Sequence, residues 1–230
     1  MEKIIIFGCG EHTRVVIENL EHQNKYKIFG LVADKDFHSK KKIFGYDIVC
    51  QDTDLNKFLS DNRDIKSYVL GVGVVDGNML KRSKLSKKLD NFLESINVIH
   101  PNVVISEKAK IGKGNIIEAF TKISSSSVVG NHCIIQSFSS INHDVVIEDN
   151  VLVATNTTIA GKRVGKNSII SDGASVTFKK NVGSNCLLMD GAVLTKDMPD
   201  NSFGFGNPAK IIKKNDKVIA NLKSKLVGKI

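Results

Sequence analysis

A chain of 230 residues with 41% hydrophobic and 25% charged residues can bury one or two ordinary globular cores, and no run approaches the roughly 20 apolar residues of a membrane span. The net charge of +9 is uneven: residues 1–99 carry 16 Lys+Arg against 14 Asp+Glu, and residues 100–230 carry 17 against 10. Three tyrosines, no tryptophan and no basic run interleaved with aromatics argue against nucleic acid as a partner, and Cys9, Cys50, Cys133 and Cys186 include no CxxC pair, so neither a metal nor a disulfide is expected.

The first element is the β-branched run KIIIFG, a strand buried on both faces. With one lysine before so short an apolar run, the opening reads as a strand and not a secretory leader, so a cytoplasmic location without membrane insertion is expected. Residues 11–22 follow as a short helix, with Val15, Val16 and Leu20 apolar. Residues 27–33 read as a second strand, and 52–62 as a helix with Leu55, Phe58 and Leu59 on one face and Asp52 as a candidate cap. A third strand (67–73) and a longer helix (78–95) complete an alternating α/β pattern. It predicts a Rossmann-like domain over 1–99. A short strand at 97–99 leads to His100-Pro101, where the pattern changes.

From Ile105 to Ile159 an aliphatic residue recurs at every sixth position. The series then slips by one residue near Gly161-Lys162 and resumes from Val164 to Leu194. Neither helix nor strand has a period of six; it is the hexapeptide period of a parallel β-helix, and sixteen anchors make about five triangular coils. Residues 100–214 are therefore expected to form an all-β left-handed parallel β-helix. Residues 215–230 are expected to form a short C-terminal helical tail capping it. The fourth residue after each anchor points inward and is small, which buries Cys133 and Cys186; only Asn115 and Lys180 break that rule. Gly112, Gly130, Gly165 and Gly183 directly follow anchors, where tight corners suit glycine.

The same phase puts His143 and Asp144 outside the coil. A carboxylate beside an imidazole orients it and raises its basicity, which suits general-base work. Asn142 adds a hydrogen-bonding group, and the outward Phe120, Phe138 and Leu152 suggest a subunit interface or ligand cleft. His132 is also outward but has no carboxylate neighbour in sequence, so it ranks below His143. In the first half, Gly8-Cys9-Gly10 lies between a strand and a helix, where a glycine turn brings phosphate to a helix N-terminus. Thr13 replaces the third glycine of the dinucleotide pattern, so the turn is equally read as a plain strand-to-helix connection. His12 at the helix start, Asp34 at a strand end and the Gly71-Val72-Gly73 stretch border the same crevice.

The stretches IIIFGCGEHTRVV, LVAD, VIHPNVVIS, INHDVVIED, TIAGKRVG and GFGNPAKII give the chain its resemblance to the NeuD/PglD-like family of sialic acid O-acetyltransferases and nucleotide-amino-sugar N-acetyltransferases. The resemblance covers nearly the whole chain. It implies acetyl-CoA as co-substrate, a homotrimer with the active site between subunits, His143 as general base and Asp144 as its orienting partner. It implies that Gly8, Gly10, His12, Asp34, Gly73 and Arg82 hold a nucleotide-sugar acceptor. Ala154, Gly161, Ser171, Gly191, Gly206, Pro208 and Lys210 would lie along the acyl-CoA. Leu152 stands where some members carry a second histidine, and the stretch from Gly73 to Arg82 is longer than the family's compact pattern. The implied reaction is transfer of acetyl to the amine of a nucleotide-linked 4-amino-4,6-dideoxy sugar for surface glycan biosynthesis. The alternatives are O-acetylation of sialic acid or a related sugar, and a non-catalytic trimeric sugar-nucleotide-binding protein.

Overall fold

The computed structural model describes residues 1–34, 42–74 and 77–213. The expected C-terminal helical tail lies outside the described residues. The first half runs β1 (Glu2–Phe7), α1 (Glu11–Gln23), β2 (Tyr26–Ala33), β3 (Lys42–Ile43), β4 (Tyr46–Gln51), α2 (Leu55–Asp61), β5 (Ser67–Leu70), α3 (Leu80–Leu89) and β6 (Glu94–Ser95). The sheet order is β3-β4-β2-β1-β5-β6, with every pairing parallel except the β3–β4 hairpin. This is the expected Rossmann-like sheet with one addition. The hairpin turns at Phe44-Gly45, both at positive φ, and makes an edge that a search for buried runs passes over. α2 begins at Leu55 behind Asp54, because the Asp52 amide is spent on the Ala33 carbonyl. α3 ends at Leu89, well short of residue 95, where the chain turns to pair β6 with β5.

The solenoid begins at Val98–Ile99, which pairs with Ile116–Ile117 and not with the first sheet. Its two-residue strands stack into three parallel faces. The first holds Val98–Ile99, Ile116–Ile117, Ile134–Ile135, Leu152–Val153, Ile169–Ile170 and Leu187–Leu188. It is extended by a hairpin of Ser202–Phe205 and Lys210–Lys213. The second runs from Val104–Ile105 through Ser140–Ile141 to Val193–Leu194, and the third from Lys110–Ile111 through Val146–Ile147 to Asn181–Val182. Anchors such as Ile117, Ile141, Val164 and Leu188 are fully buried with Cys133 and Cys186, as the phase requires. Asn115 is buried too, because its side chain bonds the Gly130 carbonyl and the Cys133 amide.

The corners differ from expectation in one respect. Before the slip the non-glycine left-handed residues of the coil are Phe120, Ser126, His132, Phe138, Asp144, Asn150 and Asn156, again six apart, with φ between 56° and 62°. The glycines after the anchors serve close approach instead: a Cβ at Gly112 or Gly130 would lie 2.5 Å from an oxygen of the next coil. At the slip, the stacking offset falls from 18 residues (Ser140 over Thr158) to 17 (Val146 over Arg163), and no left-handed residue occurs between Asn156 and Asn167.

The two halves share a buried seam. Outward residues of the first face, Ile116, Ile134, Leu152 and Ile169, pack with Val16, Ile17 and Leu20 of α1. Leu152 therefore separates from the exposed Phe120–Phe138 pair with which it was grouped; it is an intramolecular contact. Arg82 is fully buried at this seam. Its guanidinium donates to the carbonyls of Leu70 and Val72 from the first half and of His132 from the solenoid.

Candidate active site

His143 and Asp144 sit on the corner between the second and third faces. Asp144 takes the left-handed conformation (φ 61°), and its Oδ2 lies 2.7 Å from His143 Nδ1. With Nδ1–H donated to the carboxylate, Nε2 is the free basic nitrogen. Both side chains are exposed, 65% and 71%. They border an open cavity of about 620 Å³ with Asn142, Ala160, Gly161, Lys162, Phe178 and Lys179. Gly161, the residue at the slip, is forced by packing: a Cβ would lie 2.5 Å from the Lys180 carbonyl oxygen and 2.6 Å from Val176 Cγ1.

His132 has a carboxylate after all, supplied from the other half of the chain. Its Nε2 lies 2.8 Å from Asp90 Oδ2, and the Tyr68 hydroxyl donates to Asp90 Oδ1. Burial lowers the His132 pKa against the pull of Asp90. Burial works to raise the Asp90 pKa, but the hydrogen bonds from His132 and Tyr68 hold it below the usual carboxylate range. The network lies at the seam, with His132 buried and Asp90 partly exposed. Cys9 and Cys133 are pushed by burial up to about 11 and about 12, so neither is a ready thiolate.

The second cavity, about 500 Å³, opens at the carboxyl ends of β1, β2 and β5 and is closed on one side by the solenoid. Gly8, Gly10, His12, Asp34 and Gly73 line it together with Lys81, Ile134, Gln136 and Leu152. Gly8 takes φ 121° against Gly71 and Val72, a place for glycine alone. Gly10 is the N-cap of α1, no side chain caps that helix, and its first turn, Gly10 to His12, lines the crevice. Thr13 in place of the third glycine is accommodated by Gly71, where a Cβ would lie 2.7 Å from Thr13 Oγ1. His12 brings no charge: burial, helped by nearby Arg82, lowers its pKa to about 4. Asp34 pairs with Lys81 at 2.8 Å. Arg82, expected here, is instead the buried clamp between the halves.

The residues expected along an acyl-CoA divide between two edges of the solenoid. Gly161 shares the His143 corner. Gly206, Pro208 and Lys210 line an open cavity of about 780 Å³ with Thr195 and Lys196, further along. Ala154, Ser171 and Gly191 follow strands of the first face, near its edge with the second. Ala154 is buried in the seam. The stacked Phe120 and Phe138 rings (centroids 5.1 Å apart) lie on that same edge, exposed. Phe178 in the His143 cavity and the buried Glu118 were not foreseen. Burial raises the Glu118 pKa against two bonds from Ser137.

Residues 3–89 match the PglD N-terminal domain family, and residues 126–161 match the bacterial transferase hexapeptide (six repeats) family. The structure superposes on PerB from Caulobacter crescentus, solved in complex with CoA and GDP-perosamine. The two are 26% identical, with 91% of this chain and 97% of that one covered and a TM-score of 0.82. The chain is thus similar, through both its halves, to the NeuD/PglD-like acyltransferases. A second member of that company, the acetyltransferase domain of PglB from Neisseria gonorrhoeae in complex with acetyl coenzyme A, is 25% identical. It covers 92% of this chain and 99% of its own, with a TM-score of 0.81. WeeI from Acinetobacter baumannii, 22% identical with a TM-score of 0.69 over 91% of this chain and 100% of its own, shares the fold. No curated protein sequence matches the chain. Among the described residues no helix is long and apolar enough to cross a membrane. Nor do three or more His, Cys, Asp or Glu among them gather to hold a metal.

Proposed function

We propose that the protein transfers acetyl from acetyl-CoA to the amino group of a nucleotide-linked sugar, with His143 as general base. The carrying observation is the His143–Asp144 pair on a rigid corner, its Nε2 free beside an open cavity. In the reaction, His143 Nε2 takes a proton from the acceptor amine as its nitrogen bonds to the thioester carbonyl carbon. The C–S bond then breaks, and the proton leaves with the thiol. Asp144 holds the imidazole in the tautomer this needs and stabilises the imidazolium. No residue need form a covalent intermediate, in keeping with the buried thiols. Lys162 and Lys179 beside His143, and Lys196 and Lys210 beyond them, suit an acyl-CoA whose phosphates run toward the C-terminal coils.

The acceptor reading rests on the crevice at the uncapped α1 N-terminus, a site for a diphosphate. Similar proteins solved with CoA and GDP-perosamine or with acetyl coenzyme A support the same pairing of substrates. A sialic acid O-acetyltransferase would have no use for that crevice, and a mere binding protein none for the His–Asp pair. The crevice borders the first face through Ile134, Gln136 and Leu152, whereas His143 stands beyond the second face. That face separates them by on the order of 15–20 Å of chain. A homotrimer would bring one subunit's crevice to its neighbour's His143, with the exposed Phe120–Phe138 edge between them. We further assign the protein to the cytoplasm and to surface glycan synthesis, where nucleotide sugars with a 4-amino-4,6-dideoxy ring are modified.

Release of free thiol from acetyl-CoA, with and without UDP-, dTDP- and GDP-linked amino sugars, tests this. CoA release should require an amino-sugar nucleotide, and His143→Ala should lower kcat roughly 100- to 10,000-fold. Full turnover in His143→Ala sinks the base assignment; no release with any amine or hydroxyl acceptor sinks the enzyme reading.

A further inference from the structure

We propose that the crevice has a second lobe that selects a guanine base, read by the Asp52 carboxylate; this rests on the nucleotide-linked acceptor proposed above. The lobe, about 260 Å³, shares Gly8 and Asp34 with the main cavity and lies across the strand ends from the solenoid, under α3. Asp52, at the end of β4, lines it with Val32, Lys84, Leu85 and Lys88. A nucleotide whose diphosphate lies at the α1 N-terminus in the main cavity points its sugar toward the solenoid and its base past Gly8 and Asp34 toward Asp52. Asp34, at the end of β2 between the two, is then at the ribose.

The Asp52 carboxylate carries an unmet demand: its Oδ1 is buried and has no hydrogen-bond donor among the described residues. A half-buried carboxylate whose oxygen lacks a donor calls for one from a ligand. Among the bases, guanine alone offers two adjacent donors, N1–H and the exocyclic amino group, with no acceptor between them. That edge matches the two oxygens of a carboxylate. Uracil and thymine flank a single N–H with two carbonyls that a carboxylate repels. Adenine and cytosine place a ring acceptor beside their one amino donor. Lys84 and Lys88 on the α3 wall supply donors for the guanine O6 and N7 acceptors.

Binding of GDP, IDP, UDP and ADP to the full chain, measured by titration calorimetry, tests the assignment. GDP should bind tightest. IDP, which lacks only the exocyclic amino group, should bind roughly 10- to 100-fold more weakly, and UDP and ADP no better than IDP. Asp52→Asn should bring GDP to the IDP level while acetyl-CoA binding stays as in wild type. Equal binding of GDP and IDP by the wild type, or undiminished GDP binding by Asp52→Asn, overturns the proposal. A preference for UDP or ADP removes the guanine assignment and leaves the acceptor reading standing, whereas binding of none of the four removes both.

Discussion

Gly161→Ala probes the irregular corner on which the catalytic cavity depends. A methyl carbon sits at about 3.3 Å or more from a carbonyl oxygen. An added Cβ would lie 2.5 Å from the Lys180 oxygen, so the two coils must part by about 0.8 Å. That carbonyl already accepts the Lys162 amide at 2.8 Å, and the side chain on the other flank, Val176, is buried and has no room to yield. The substitution therefore breaks a backbone hydrogen bond, worth about 1 kcal/mol, and overpacks the coil at about 1–3 kcal/mol. Together they cost about 2–4 kcal/mol. Urea unfolding should show this as a lowered midpoint with unchanged slope. Because Lys162 and Gly161 border the His143 cavity, KM for acetyl-CoA should rise in the same variant, more than KM for the acceptor. Wild-type stability together with wild-type acetyl-CoA kinetics would refute the reasoning, since the close approach would then constrain nothing.

Three further outcomes follow from named contacts. His12, neutral in the fold with its pKa lowered to about 4, takes up a proton near pH 6.5 once unfolded. Its contribution to stability is thus undiminished above about pH 6.5 and declines as pH falls toward 4, by about 3 kcal/mol in all. A His12→Phe variant should lack that part of the acid sag in urea unfolding measured from pH 7.5 to 4. Asp144→Asn should leave the exposed corner folded and lower kcat roughly 10- to 100-fold through the lost charge-assisted bond, with acceptor KM little changed. Leu152→Ala, removing a nearly buried side chain from the seam between the halves, should cost about 2–3 kcal/mol in denaturant unfolding.

The solenoid is legible because a six-residue period has one structural meaning, and its phase alone puts Cys133 and Cys186 inside and His143 outside. Phase says which residues leave the coil; it is silent on what they then meet. Leu152 and His132 leave it only to be covered by α1 and by Asp90, whereas Phe138 and His143 leave it for solvent. Such long-range burial depends on how the first half docks, and no local pattern encodes that. Arg82 shows the same gap: the family resemblance implies a ligand contact there, but docking turns its guanidinium onto three carbonyls. The strand-to-helix turn is legible for the opposite reason: Gly8 and Gly10 set backbone shape where β1 meets α1, a local property. The orphaned Asp52 oxygen was invisible in sequence, because β4 belongs to the edge hairpin that carries no buried run.

Subunit complementation tests most directly whether one subunit's crevice is served by its neighbour's His143. His143→Ala lacks the base. Gly10→Asp has room for its side chain, since nothing lies within 4 Å of an added Cβ, and it sets a carboxylate where the acceptor diphosphate would bind. Each variant alone should be nearly inactive. Trimers reassembled from an equal mixture should recover about a quarter of wild-type thiol release, the fraction of interfaces that pair an intact crevice with an intact histidine. A mixture as inactive as its components would contradict the shared site and place crevice and base within one chain.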